Sequence, residues 1–325
     1  MMQIKYLSLI YCFVLSFEST NSQTIFFNEK QGTYSYKNNI NSSDIEFITF
    51  SKNVNALADY FYSHIPVMKA NKGFDLLAIL SGYWDDEYKD NAWNYRLRGE
   101  LNFDFQLFVK ENGKEGKWTV EPPHWQVDIN NTEEGHGGML NEGTSGSLLK
   151  ELFVVFPLVK EIVPGVDYYD CEARICGSLV VFNPDRPKYW LPVTVKEVVR
   201  AKLEACKDDK FMTDFIKQQV TKMSDEELNA LAFNESDNGI LRVNGRGEGL
   251  QYMRFNPDYW DKTLPVSVIQ FLTIRYNEFG YACFNKEEQK MADEEFLKNN
   301  SHINYSSEIS KTFNFNELAK IINMK

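Results

Sequence analysis

The chain lacks most of the residues and patterns that announce a known chemistry. It holds four histidines and five cysteines, and no two cysteines stand at CxxC spacing, which excludes a zinc ribbon or finger. No GxSxG is present. The nearest stretch, Gly143-Thr144-Ser145-Gly146-Ser147, lacks the last glycine and sits in no strand-to-helix context. Walker, dinucleotide, HExxH and EF-hand patterns are also missing, so no cofactor and no metal are expected. Lysine and arginine form no cluster and the net charge is −11, which disfavours nucleic acid and anionic membrane surfaces as partners. Long apolar runs are absent too. Spanning a bilayer takes about 20 apolar residues. Leu148–Val159 is broken by Lys150, Glu151 and Pro157, so no transmembrane segment is expected.

What is present begins with the first 22 residues. Lys5 precedes an apolar run from Tyr6 to Phe17, and Thr20-Asn21-Ser22 supplies the small residues of a cleavage site. Residues 1–22 read as an export signal, which places the mature chain in the periplasm or outside the cell. Cys12 lies inside the run after Tyr11, so a lipid anchor is not expected. In an oxidising compartment Cys171-Glu-Ala-Arg-Ile-Cys176 could close a small disulfide loop, although Ala173-Arg174 is a poor two-residue turn. The pairing stays open. Cys206 reads as a small buried hydrophobe on a helix.

Hydrophobic residues make up 43% of the chain, enough for a sizeable core, and 24 Phe, 17 Tyr and 6 Trp suit strands. Val54, Leu57, Ala58, Phe61 and Ile65 recur at helical spacing after Ser51, and Pro66 ends that helix. Gly73–Leu80 reads as a strand. Leu97, Leu101, Phe103, Phe105, Leu107 and Val109 alternate with polar residues, which predicts a long strand with one buried face. Glu111–Lys117 is its turn, and Trp118 to Ile129 returns. Glu151–Val159 and Gly177–Phe182 read as further strands. The fold class is α+β: an antiparallel sheet packed on helices, in two parts. Residues 23–146 form the first and 147–325 the second, divided by the glycine-rich stretch 132–146.

An internal repeat marks the second part. Phe182-Asn183-Pro184-Asp185 and Leu191-Pro192-Val193-Thr194-Val195 recur as Phe255-Asn256-Pro257-Asp258 and Leu264-Pro265-Val266-Ser267-Val268. Two structural copies or one recurrent Asn-Pro-Asp turn would both produce it. Thr194-Val-Lys-Glu197 is a capping box opening a helix, whereas Ile269 to Ile274 favours a strand. Ser224-Asp-Glu-Glu227 caps another short helix.

Three candidate sites stand out. Glu133, Glu134 and His136 sit among glycines and could act as acid and base. The loop with Trp84, Asp85, Asp86 and Trp93 combines aromatic faces with carboxylates, the residue types that hold sugars. The polar face of the long strand (Glu100, Asn102, Asp104, Gln106) could offer paired carboxylates to a glycosidase if the sheet is concave. Lys72-Gly-Phe-Asp75 and Tyr189-Trp-Leu-Pro-Val-Thr-Val-Lys-Glu197 resemble a pattern in exported proteins of the Bacteroidota, to which no activity is attached. The leading expectation is a non-catalytic binding or interaction protein, with a glycan or an envelope protein as partner. The alternatives are a carboxylate-based hydrolase such as a glycosidase, and a structural component of an envelope assembly.

Overall fold

The structure is a computed structural model and describes residues 24–40, 42–83, 96–131, 141–142, 152–155, 158–170, 177–234, 242–276, 290, 294, 296–298, 302 and 304–322. Residues 1–22, Trp84, Asp85, Asp86, Trp93, Glu133, Glu134, His136, Cys171 and Cys176 lie outside the described residues.

Strands β1 (Ile25–Phe26) and β2 (Tyr34–Asn38) precede helix α1 (Ile45–His64). The helix begins before the expected Ser51, because the Asp44 carboxylate caps it at 2.8 Å from the Glu46 amide. Phe47 and Phe50 then carry the Val54, Leu57, Ala58 and Phe61 stripe toward the N-terminus. Pro66 does more than stop this helix. It opens the short α2 (Pro66–Ala70), where a missing amide costs nothing.

Next come β3 (Phe74–Tyr83), β4 (Arg98–Glu111) and β5 (Lys114–Trp118). The turn between the last two is tighter than expected. Asn112 and Gly113, at φ +51° and +77°, make the two-residue reversal that hairpin twist favours. The chain continues through β6 (His124–Ile129), β7 (Asn141–Glu142), β8 (Leu152–Val155), β9 (Leu158–Val163), β10 (Val166–Asp170), β11 (Gly177–Phe182) and β12 (Trp190–Pro192). Helices α3 (Val195–Ala205), α4 (Lys210–Val220) and α5 (Asp225–Asn229) lead to β13 (Phe233–Asn234), β14 (Leu250–Phe255) and β15 (Phe271–Tyr276). Two helices close the chain, α6 (Tyr305–Thr312) and α7 (Phe315–Ile321).

The fold is α+β, and the described strands form two sheets. A ten-stranded sheet runs β2-β3-β4-β6-β15-β11-β10-β9, with β1 and β5 also on β4; among the described strands only β2 and β3 pair in parallel. A five-stranded sheet runs β12-β14-β8-β7, with β13 on β14. The stretch 151–159, expected as one strand, supplies β8 to the smaller sheet and β9 to the larger. Pro157, between them, has no amide to continue a ladder. Strands from both sides of residue 146 share the large sheet, since β6 pairs β15 from Ile129↔Leu272 to Gln126↔Arg275.

Three apolar clusters order these elements into layers. Helices α1, α2, α6 and α7 cover one face of the large sheet through Phe50, Phe61, Leu101, Phe103, Ile274 and their neighbours. The other face meets the small sheet through Tyr169, Val180, Phe153, Trp190, Phe255 and Phe271. The far side of the small sheet rests on α3 and α4 through Leu152, Val154, Tyr252, Val198 and Ile216. The layer order is α/β/β/α. This is why Leu152-Phe153-Val154-Val155 is apolar at every position: β8 is buried on both faces.

The capping box at Thr194 is present. Glu197 N donates to Thr194 Oγ1 at 3.3 Å, and Thr194 N donates to a Glu197 carboxylate oxygen at 2.8 Å. Ser224 caps α5 as expected. Cys206, at the end of α3, is buried as a free thiol and donates to Lys202 O at 3.0 Å.

Candidate ligand-binding cleft

The two sheets do not close completely on one another. A cavity of about 630 Å³ lies between them, where β9 and β10 face β12 and β14. Its walls include Tyr169, Phe182, Tyr189 and Trp190. Its charged groups are Glu161, Asp167, Arg186 and Lys188, two of each sign.

The β9–β10 hairpin sets the acidic side. Pro164 and Gly165 (φ +87°) make the turn, with Val163 opposite Val166. An uninterrupted ladder would then place Ile162 opposite Asp167. A register shift between Val166 and Asp167 instead brings Glu161 opposite Asp167, on the cleft side. Alternation adds Tyr169 to the same side, while Tyr168 turns into the helix-covered core.

The internal repeat sets the opposite wall. Asn183 and Asn256 each accept from the amide two residues on, Asp185 N at 2.9 Å and Asp258 N at 3.1 Å. The turn is therefore common to both copies. Their continuations differ: the first copy runs into β12 and α3, the second into β15. The copies also interlock. Asn256 N donates to Tyr189 O at 2.7 Å and Asn256 Nδ2 to Lys188 O at 2.8 Å. Arg186 donates to the carbonyls of Asp258, Tyr259 and Trp260, each at 2.8 Å. Fully buried Arg96 donates likewise to the carbonyls of Asp261, Leu264 and Pro265. Both guanidinium groups hold the second loop, Arg186 reaching it from the first, and Asn256 ties the backbone that presents Tyr189 and Trp190.

A hydrogen-bond relay crosses the cleft. The Tyr189 hydroxyl donates to Asp167 Oδ2 at 2.6 Å and lies 2.8 Å from the Tyr169 hydroxyl. Burial pushes the Asp167 carboxyl above its ordinary value. The Tyr189 hydrogen bond opposes this, the Glu161 charge adds to it, and Lys188 opposes it. Burial also raises both tyrosines, so their hydroxyls remain donors at neutral pH. Trp190 is 6% exposed, and its indole N–H has no hydrogen-bond partner among the described residues.

The polar face of β4 looks different from the sequence expectation. Glu100, Asn102 and Asp104 are half-buried rather than wet. Glu100 and Asp104 stand about 13 Å apart along one strand, too far to share a glycosidic bond. Each has another neighbour instead, Asp128 opposite Glu100 and His124 opposite Asp104. Asp128 is committed to an ion pair with Arg275 at 2.5 Å, both buried. Burial pushes Asp128 up to about 6, against the pull of Arg275 and with the Glu100 charge adding to the rise. His64, on the exposed end of α1, stacks on Tyr60 at 4.0 Å and reads as structural. Among the described residues no group of three or more His, Cys, Asp or Glu could hold a metal ion.

The sequence did not single out Glu161, Asp167, Tyr169 or Tyr189. The one available signal was Tyr189-Trp190 inside the repeat, beside the acidic-aromatic run Asp167-Tyr168-Tyr169-Asp170. No protein-family model matches the chain, and neither does any curated protein or solved structure. Among the described residues no helix is long and apolar enough to cross a membrane.

Proposed function

We infer that this is a binding protein whose inter-sheet cleft takes a neutral, hydroxyl-rich ring of the size of a short glycan. The carrying observation is the cleft itself. About 630 Å³ lies within the range of small-molecule sites, and aromatic walls surround a few convergent polar groups. Two positive and two negative side chains balance, which favours an uncharged ligand over an ion. Tyrosine and tryptophan faces suit the apolar side of a pyranose, while the Tyr169–Tyr189–Asp167 relay can give and accept hydrogen bonds to its hydroxyls.

Titration of the purified chain with neutral mono- and oligosaccharides, followed by calorimetry and tryptophan emission, tests this. Saturable binding is expected. Leu158, 51% exposed at the cleft, supplies the control, because Leu158→Trp fills the space from a site that tolerates bulk. Binding that is absent, or that Leu158→Trp leaves intact, removes the cleft as the site.

A further inference from the structure

Two carboxylates facing each other inside a cleft are unusual enough to need a reason. Like charges placed directly opposite on paired strands destabilise a sheet. A regular hairpin from the Pro164-Gly165 turn would have avoided the juxtaposition by pairing Ile162 with Asp167; the register shift creates it. Opposed residues hold their Cβ atoms about 4.5–5.5 Å apart. From Cβ atoms at that spacing the two side chains can bring their carboxyl groups to the about 5–5.5 Å that a retaining glycoside hydrolase uses. The two environments also differ: Asp167 is 8% exposed, whereas Glu161 is open to solvent.

We propose that the cleft hydrolyses a glycosidic bond, with Asp167 as proton donor and Glu161 as the carboxylate that attacks the anomeric carbon. This rests on the reading of the cleft as a saccharide site, and it adds an activity to that reading. In the first step protonated Asp167 gives its proton to the glycosidic oxygen and the bond from that oxygen to the anomeric carbon breaks. The leaving group departs as an alcohol, and a Glu161 oxygen forms an ester to the anomeric carbon. In the second step Asp167, now a carboxylate, takes a proton from water. The resulting oxygen attacks the same carbon, the ester breaks, and Glu161 is restored as a carboxylate. The balance is one glycoside and one water to one free sugar and one alcohol.

The surrounding groups fit these roles. Tyr189 holds one oxygen of Asp167 at 2.6 Å, which fixes the carboxyl and leaves its other oxygen for the transferred proton. Burial raises Asp167, the direction that suits a proton donor rather than a nucleophile. The indole N–H of Trp190, a cleft residue, has no acceptor among the described residues, and a sugar hydroxyl or ring oxygen would supply one.

The test uses the full chain with a panel of 4-nitrophenyl glycosides, alongside the saccharide titration. Wild type releases nitrophenolate. Glu161→Gln falls to background, and added azide restores turnover in Glu161→Gly with a glycosyl azide as product. Asp167→Asn loses about 10²–10⁴-fold on substrates with poor leaving groups and much less on dinitrophenyl glycosides. Saccharide binding without turnover, or turnover that Glu161→Gln and Asp167→Asn leave unchanged, overturns the catalytic proposal alone. Absence of both binding and turnover overturns the binding reading with it.

Discussion

The two faces of the ten-stranded sheet obey different rules. On the helix-covered face burial follows polarity: Leu101, Phe103, Phe105, Leu107 and Val109 of β4 are all at most 5% exposed and meet α1 and α6. On the opposite face Ser178, Thr273, Asp128 and Arg275 are just as deeply buried, and an aromatic cluster lies beside them. The same strands, with the same period of two, therefore build a dry core on one side and a polar interior on the other. A buried polar group costs free energy unless it is paired, so the second face was not selected for stability alone. The cleft opens on that side. The difference points to a division of labour, with the helix face holding the fold and the sheet-to-sheet face leaving room for the cleft.

The largest effect expected from that division falls on the helix face. Phe61 is fully buried and packs edge-on against Trp125 at 5.0 Å and Phe103 at 6.1 Å between ring centres. Phe61→Ala should cost about 3–5 kcal/mol in denaturant unfolding, because neighbours on a rigid sheet cannot collapse into the space. A cost below about 1.5 kcal/mol would mean that this face is looser than its burial implies.

On the other face the test is electrostatic. Asp128→Ala takes the buried carboxylate away from charged, buried Arg275, and should cost about 3–5 kcal/mol at pH 7. Replacing both residues with apolar ones of similar volume should recover much of that loss, which a double-mutant cycle measures. The pH dependence has a definite sign. The folded state holds Asp128 at about 6, above the unfolded value near 4. Its contribution is therefore fully present below about pH 4 and is lost as pH rises through about 6. Asp75 runs the other way. Burial alone would raise it, but hydrogen bonds from Lys117 and Thr33 and the Lys117 charge hold it below its ordinary value, so its contribution fades on acidification. In Asp128→Asn the fall in stability between about pH 4 and 6 should shrink, leaving the share of other raised carboxylates such as Asp167. If the difference between wild type and Asp128→Asn instead rose through that window, Arg275 would outweigh burial.

Legibility in the sequence divides along the same line. The alternation of β4, the α1 stripe, the capping box at Thr194, the Ser224 cap and the α+β class were all readable, because each is written in consecutive residues obeying a local pattern. The β4–β6–β15–β11 ladder was not, because β15 joins from more than a hundred residues away. The half-burial of Glu100 and Asp104 was hidden for the same reason: what a strand's polar face meets is decided by distant segments. The Glu161–Asp167 juxtaposition was harder still. It depends on a one-residue register shift, and the turn residues Pro164 and Gly165 by themselves imply the other pairing. The repeat was legible as a motif, but only the contacts between its copies show that it buttresses a cleft wall.

The smallest change gives the sharpest comparison. Thr273 is 4% exposed and sits opposite Asp128 on one side and Val180 on the other, yet its hydroxyl has no hydrogen-bond partner among the described residues. Burying an unpaired hydroxyl costs about 1–3 kcal/mol on protein scales. Thr273→Val keeps the branched shape and removes that cost, so it should leave stability unchanged or raise it by up to about 1 kcal/mol in urea unfolding. On the helix face a polar-for-apolar swap at Val127 of the neighbouring strand should do the reverse. If Thr273→Val destabilised by more than about 1 kcal/mol, the hydroxyl would have to be bonded. The polar interior would then be a satisfied network rather than a surface left partly open toward a ligand.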